Sequence, residues 1–182
     1  PAYEEGALEV LQSKKNRILL EQHQPIESSW SYRSMLGGVL AQETDRAVET
    51  KAEMKPVTKV VPTEGELEDL VFATKLVKHS KSNAIVLAKG GQLIASGVGQ
   101  TSRVDALKQA IEKARHFGFE LQGAVLASDA FFPFDDCVTL AAEAGITAIA
   151  QPGGSVRDAD SIAAADAHGI AMVMTGVRHF KH

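Results

Sequence analysis

The stretch richest in side chains that could do chemistry runs from Ser128 to Asp136. Its nine residues include three phenylalanines, three aspartates and a proline. It follows an apolar run at 124–127, which predicts a buried strand, and precedes a helical pattern that ends at Gly145. Aromatic rings in such a loop favour a site that stacks flat rings, because ligands of α/β sheets bind beyond the strand ends. The alternative is a loop that folds back to fill the core.

Two glycine-containing loops could bind an anion. Residues 97–103 bring Arg103 to the start of a helix that Ser102 can cap. Free backbone N–H groups, the helix dipole and a guanidinium together suit phosphate or carboxylate. An anion site and a structural turn are equally consistent with this loop, whereas residues 151–155 are more typical of a plain turn.

Several isolated polar residues indicate a binding role less specifically than these loops do. Asn83 could bind a substrate amide or amine, or stabilise a turn. Asp129 and Asp136 could accept hydrogen bonds from an amino-heterocycle, although Asp136 could instead cap the next helix. The Lys-His pair at 78–79 is more typical of a helix end, where basic residues complement the dipole. The basic tail at 178–182 is by default frayed and exposed.

A regular pattern over the second part of the chain positions these residues. Thr63 and Glu66 have the spacing of a capping box and begin a helix to residue 79. A Gly-Gly turn at 90–91 predicts a hairpin between strands 84–88 and 93–96. Three helix–strand units follow, with helices at 102–117, 136–144 and 158–168 and strands at 123–127, 146–150 and 170–174.

This alternation predicts an α/β fold with a mainly parallel sheet, an antiparallel hairpin strand and helices on both faces. If the second hairpin strand runs with the later strands, four segments converge on one edge of the sheet, at 82–83, 97–103, 128–136 and 151–158. Ligands of open α/β sheets bind at that edge, so the site is predicted there.

The first third of the chain is less regular. Its patterns predict a helix at 4–14, strands at 17–20 and 37–42, and a solvated charged connection at 44–56. Trp30 and Tyr32 are expected to be buried. We therefore divide the chain into a lead-in segment, residues 1–62, and an α/β domain, residues 63–182.

Composition narrows the functional classes. A chain of 182 residues, 45% of them hydrophobic, suits one globular domain with a lead-in segment. The net charge of −4 predicts no broad surface for nucleic acid. No apolar run approaches the roughly 18 residues of a membrane span. The single cysteine, Cys137, excludes an intramolecular disulfide and predicts a reducing, cytoplasmic setting.

The order helix–hairpin–helix–strand resembles the cytidine-deaminase fold. A zinc deaminase has His-x-Glu at the helix after the hairpin and Pro-Cys-x-x-Cys after the next strand. Residues 101–103 and 131–136 occupy those places here and contain no such ligands. We therefore expect no zinc and no zinc-dependent deamination.

Five motifs stand in the same order as in a known family. They are Lys81-Ser82-Asn83-Ala84-Ile85-Val86, Gly99-Gln100-Thr101-Ser102-Arg103-Val104, Ser128-Asp129-Ala130-Phe131-Phe132-Pro133-Phe134, Gln151-Pro152-Gly153-Gly154-Ser155-Val156-Arg157-Asp158 and Arg178-His179-Phe180-Lys181-His182. With residues 37–40 and 57–59, they resemble the C-terminal part of the bifunctional AICAR transformylase and IMP cyclohydrolase family of purine synthesis. The resemblance implies transfer of a formyl group from 10-formyltetrahydrofolate to the amine of AICAR. It also implies two cytidine-deaminase-like halves and an active site at a homodimer interface.

The resemblance implies roles for individual residues. Those that would line the AICAR pocket are Asn83, Arg103, Phe131, Arg178 and His182, with Asn83 also supporting catalysis. Those that would face the folate are Ala130, Pro133, Phe134 and Asp136, with the Asp136 carboxylate bonding the pterin. A potassium ion would lie near Ser80, Ser82 and Asp129.

One departure from the family limits what this chain is expected to do alone. The family's catalytic Lys-His pair precedes a Pro-x-Gly turn, whereas the pair at 78–79 precedes residues 80–83, so we do not carry the role onto it. The catalytic pair and the cyclohydrolase domain are expected in the remaining N-terminal part of the enzyme, and this piece alone is expected to be inactive. Asp135, where an arginine is usual, and Cys137 leave the shape of the folate pocket open. The alternative hypothesis is a non-catalytic module that binds a purine ribonucleotide or folate.

Overall fold

The structure is a computed structural model that describes residues 2–24 and 28–181. The chain forms two compact units, Pro1–Arg46 and Ala47–His182. The division predicted from the sequence lay between residues 62 and 63, whereas residues 47–62 belong to the second unit. Within the described residues, none of the helices has the length and apolar character of a membrane span.

The first unit contains one helix and one hairpin. Helix α1 spans Glu5–Gln12, and strands β1 (Trp30–Met35) and β2 (Gly38–Glu43) pair antiparallel. The helix and β2 confirm the predictions for 4–14 and 37–42, whereas β1 was not predicted.

Two expectations for the first unit are wrong. Residues 17–20 form no strand, and Ile18 is exposed. An apolar run becomes a strand only when a neighbouring strand binds its backbone, and no strand of the described residues pairs with this run. Trp30 and Tyr32 are 46% and 66% exposed, because β1 and β2 are exposed along their whole length.

The second unit is built on a six-stranded sheet. Its strands are β3 (Lys55–Pro56), β4 (Ile85–Lys89), β5 (Gln92–Gly97), β6 (Val125–Ser128), β7 (Ala148–Gln151) and β8 (Ala171–Met174), in the order β3-β8-β7-β6-β4-β5. Strands β6, β7 and β8 are parallel, and β4 is antiparallel to both β5 and β6. Four of the six strands therefore point the same way, which confirms the mainly parallel sheet with an antiparallel hairpin strand. The short β3, antiparallel to β8, was not predicted.

Helices cover both faces of this sheet, as predicted. They are α2 (Glu64–Lys78), α3 (Arg103–His116), α4 (Asp136–Ala144) and α5 (Asp158–His168). On one face, α2 buries Leu70 and Val77 against Val86 of the sheet. On the other, buried side chains of α3, α4 and α5 pack against residues such as Leu126 and Ile149. The alternation of strand side chains thus supplies two cores.

Helix starts follow the predicted capping signals in two of three cases. The Thr63 hydroxyl accepts from Glu66 N–H and the Glu66 carboxylate accepts from Thr63 N–H, so the capping box is confirmed. The Ser102 hydroxyl accepts from Asp105 N–H at 3.1 Å. The cap role considered for Asp136 is wrong, because that residue lies inside the first turn of α4.

The connection at 44–56 is not solvated throughout, contrary to the prediction. Glu49 and Met54 are each 3% exposed, and Met54 joins the core beneath α2. A charged segment can still carry isolated buried side chains, which a mixed pattern without a period does not reveal.

Candidate functional site at the carboxyl edge of the sheet

The four segments predicted to converge do meet at one edge of the sheet. The backbones of Asn83 and Gln100 exchange hydrogen bonds at 3.2 and 3.3 Å, which joins the first two segments. Phe132 N–H donates to the Gln151 side-chain carbonyl at 2.9 Å, which joins the last two. An ion pair between Arg103 and Asp129 joins the second and third.

That ion pair is buried. Arg103 is 7% exposed and Asp129 is fully buried. One guanidinium nitrogen donates to Asp129 Oδ1, and the other donates to Asn83 Oδ1 at 3.0 Å. Ala84 N–H also donates to Asp129 Oδ1, at 3.1 Å. Because the carboxylate compensates the guanidinium inside the protein, Arg103 does not present an uncompensated positive charge at this edge.

The side-chain amide of Asn83 is held in one orientation. Its oxygen accepts from Arg103, and its nitrogen donates to Gln100 O at 2.9 Å. An amide can donate two hydrogen bonds and accept two. One N–H and one lone pair of Asn83 are therefore left for a ligand.

A pocket of about 290 Å³ opens beside this network. Its lining residues are Asn83, Thr101, Ser102, Arg103, Ala130, Phe131, Pro133 and Phe180. Five of these were singled out from the sequence as site residues. Phe180 was not, although Arg178 and His182 of the same tail were.

The three phenylalanines of the aromatic loop have different environments. Phe131 lines the pocket, whereas Phe132 is completely buried in the core. Phe134 is 50% exposed, with the Arg157 guanidinium 5.1 Å from its ring centroid. The core-filling interpretation is therefore confirmed for Phe132, whereas ligand stacking on Phe131 stays a prediction.

The other predicted ligand residues lie around the pocket or outside it. The Arg178 guanidinium lies 4.7 Å from the Phe131 ring centroid, a cation–π contact. Asp136 accepts a hydrogen bond from Cys137 N–H at 2.8 Å. The prediction for His182 falls outside the described residues.

Burial protects Cys137 and disfavours its thiolate form in the folded unit. It is fully buried, and this desolvation, with the charge of neighbouring Asp136, raises the pKa of its thiol to about 12. The thiolate is the reactive form, so this environment disfavours Cys137 as a nucleophile.

Some of the residues expected near a potassium ion already make hydrogen bonds within the protein. The Ser80 hydroxyl donates to Leu76 O at 3.0 Å, and the Ser82 hydroxyl accepts from Lys181 N–H at 2.9 Å. Asp129 Oδ2 is buried and has no hydrogen-bond partner within the described residues. Over the same part of the chain, no three His, Cys, Asp or Glu side chains form a group that could hold a metal ion.

The C-terminal tail is ordered against the sheet, so the default expectation of fraying is wrong for residues 178–181. His179 N–H donates to Asp129 O at 2.9 Å, and Ser82 N–H donates to Lys181 O at 2.9 Å. Phe180 between them lines the pocket. No local pattern signals this arrangement, since it depends on loops distant in sequence.

Two other motifs, the loop at 151–155 and the Lys-His pair at 78–79, make hydrogen bonds within the protein. The Asp158 carboxylate accepts from Gly154 N–H at 2.7 Å and from Ser155 N–H at 3.2 Å. The backbone of the loop at 151–155 is therefore held by the aspartate that follows it. His79 is the C-cap of α2, and Lys78 donates to a backbone carbonyl. The Asp158 contacts agree with the turn interpretation, and the C-cap position of His79 agrees with the helix-end interpretation.

Comparisons with known proteins give one consistent family. The AICARFT/IMPCHase bienzyme family matches residues 1–113. The whole chain is 61% identical to the bifunctional purine biosynthesis protein PurH of Bacteroides thetaiotaomicron and 52% identical to that of Chlorobaculum parvum. It covers 36% and 35% of those two proteins, so it spans about a third of the length of the curated relatives it matches.

Part of the chain is also similar to a solved structure. This is the diaminohydroxyphosphoribosylaminopyrimidine deaminase/5-amino-6-(5-phosphoribosylamino)uracil reductase of Thermotoga maritima. The identity is 25% and the TM-score 0.42, with coverage of 59% of this chain and 34% of that one.

Proposed function

The chain belongs to the AICARFT/IMPCHase bienzyme family, and we propose that it is the C-terminal transformylase part of such an enzyme. In this proposal it binds AICAR and 10-formyltetrahydrofolate and contributes half of each formyltransferase site in purine synthesis. The observation that carries the proposal is the pocket in which Asn83, Arg103 and Phe131 come together.

The chemistry of this pocket suits a flat, amide-bearing ligand. Phe131 offers an aromatic face, and Asn83 offers one N–H and one oxygen lone pair in a fixed orientation. Asn83 would hold the carboxamide or reacting amine of AICAR and so support catalysis by positioning. The folate would lie along Ala130, Pro133 and Phe134, with Asp136 at the pterin.

The two arginines near the pocket have different electrostatic roles in this proposal. The charge of Arg103 is compensated by Asp129, whereas Arg178 is exposed and lies on the Phe131 ring. An exposed guanidinium pays a small desolvation cost to bind a phosphate. Arg178 would therefore hold the AICAR phosphate, and Arg103 would orient Asn83.

A potassium ion, if bound as in the family, would be held by oxygen donors near Ser80, Ser82 and Asp129. The buried Asp129 Oδ2 without a partner in the described residues supports this position, because a buried carboxylate oxygen normally has one. Such an ion would supply a fixed positive charge behind the pocket.

The chemical step needs groups that this chain does not supply in the proposal. The catalytic Lys-His pair would come from the remaining N-terminal part of the same polypeptide or from the second subunit of a homodimer, in the cytoplasm. The chain alone would bind ligands and would not transfer the formyl group.

Titration calorimetry with AICAR tests the proposal. We expect the wild-type chain to bind, and Arg178→Ala to weaken binding by about 10- to 100-fold, since hydrogen bonds to charged groups contribute about 1.5–3 kcal/mol. Arg157→Ala is the matched control, because Arg157 is also an exposed arginine on a phenylalanine, but that ring belongs to Phe134, which does not line the pocket. A folded wild-type chain that does not bind AICAR would contradict the proposal, as would equal losses in the two variants.

A further inference from the structure

A buried acid–histidine pair lies next to Phe180, a residue that lines the pocket. Glu49 Oε2 and His179 Nε2 are 3.1 Å apart, and their side chains are 3% and 1% exposed. Glu49 comes from the segment that precedes β3, whereas His179 lies in the C-terminal tail. Neither residue lines the pocket, and sequence patterns placed both in exposed segments.

Hydrogen-bond chemistry fixes the direction of this contact. A carboxylate only accepts, so His179 Nε2 carries the hydrogen when Glu49 is ionised. Glu49 Oε1 has no partner among the described residues, so the carboxylate is incompletely compensated. Apolar side chains of similar volume would stabilise such a position at least as well. Stability alone is therefore a poor explanation for the pair, whereas orientation of the tail is a good one.

His179 is connected to the pocket by its own backbone and by its two neighbours in the tail. Its N–H donates to Asp129 O at 2.9 Å, directly beside the ion pair with Arg103. Phe180 lines the pocket, and Arg178 lies on the Phe131 ring. Because Glu49 holds the His179 side chain, it also restricts Arg178 and Phe180, the two neighbours that contact the site.

We propose that Glu49 is a positioning residue, which holds the C-terminal tail against the pocket through its hydrogen bond to His179. Removal of the carboxylate frees the tail locally while the sheet stays folded. The consequence for ligand binding rests on the proposed function, whereas the consequence for the tail does not.

The test compares hydrogen exchange and AICAR binding in four chains. Glu49→Ala removes the acceptor, and Glu49→Gln keeps an amide oxygen in its place. Glu112→Ala is the matched control, because Glu112 is exposed on α3. Glu49→Asp, which shortens the side chain by one methylene, serves if Glu49→Ala does not fold. Exchange is read at the amides of His179 and Lys181 and, as an internal reference, at those of β6–β8.

We expect Glu49→Ala to speed exchange at the two tail amides at least about tenfold with the reference strands unchanged, the behaviour of local opening. AICAR affinity should fall by about tenfold, and Glu49→Gln should restore both readouts, since the hydrogen bond rather than bulk stability is restored. The inference would be overturned if the tail amides of Glu49→Ala exchanged at the wild-type rate. It would also be overturned if these amides exchanged faster while AICAR bound with full affinity. A wild-type chain that does not bind AICAR would instead overturn the proposed function, and the exchange readout alone would then decide the inference.

Discussion

The two units of this chain contain similar local sequence patterns, but among the described residues side chains are buried only in the second. The first unit has a helix and a hairpin, yet none of its described residues is buried. The second unit has the same kinds of element, and its side chains form a core on each face of a six-stranded sheet. A two-stranded hairpin is at best marginally stable by itself, because it has no second layer to cover it. Secondary structure thus follows local pattern, whereas burial follows the number of layers.

The first helix of each unit shows the same contrast at smaller scale. In α1 the N-cap residue Glu4 makes no side-chain capping bond and no helix residue is buried. In α2 a complete capping box starts the helix, and Leu70, Ala73, Thr74 and Val77 are buried.

Each unit has its own probe for testing this comparison. Trp30, the single tryptophan, lies in the first unit, and Cys137, the single cysteine, is buried in the second. The rate at which a thiol reagent labels Cys137 therefore reports opening of the second unit.

Phe132→Ala should have the largest effect. Its ring is completely buried, so truncation should cost the second unit about 3–5 kcal/mol and speed labelling of Cys137 more than a hundredfold. Tyr32→Ala in the first unit should change the free energy of unfolding by less than about 0.5 kcal/mol, because Tyr32 is 66% exposed. Comparable losses in the two variants would remove the contrast between the units.

Gly97→Ala should have the next largest effect. A Cβ at Gly97 would overlap the carbonyl oxygen of Ala106, so α3 would have to move away from β5. We expect a loss of about 3 kcal/mol, near the upper end for overpacking, measured by urea denaturation with Cys137 labelling. Gly6→Ala in α1, followed by the fluorescence of Trp30 in the same unit, is the control, since nothing lies within 4 Å of Gly6. If Gly6→Ala were equally destabilising, close packing would not distinguish the units.

Glu66→Gln should have the smallest effect, and it should depend on pH. Burial tends to raise the pKa of Glu66, but hydrogen bonds from the Thr147 hydroxyl and from Thr63 outweigh it and lower the pKa below its usual value of 4.5. Since the folded-state pKa is lowered, the stabilisation is complete above the unfolded value and is lost as pH falls through the folded value. The substitution should cost about 1 kcal/mol at pH 7.

Urea denaturation at pH 7 and at several values below 4.5 measures this dependence. The difference between wild type and Glu66→Gln should shrink as the pH falls. Glu9→Gln, in the exposed helix α1, should change stability little at any pH. A difference at Glu66 that grows in acid would show that the capping carboxylate does not have the lowered pKa.

The candidate site was predictable where its residues follow regular elements. The aromatic loop and the loop that carries Arg103 each lie next to a strand or helix with a clear period, so sheet topology placed them at one edge. The Arg103–Asp129 ion pair was not predictable, because a charged residue in a loop carries no signal of its partner. The same holds for Glu49 and His179, which are far apart in sequence and lie in segments without a period.

The sequence by itself determined the helices of the second unit, all of its strands except β3, their order, the capping box at Thr63 and the family. It did so because periodicity, caps and turns are local properties that survive without tertiary contacts. Only the tertiary structure decided which of the three phenylalanines in the aromatic loop fills the core, which arginine of the site is compensated by a carboxylate, and how the tail packs. Each of these depends on what lies opposite a side chain, and burial and compensation are set by partners distant along the chain.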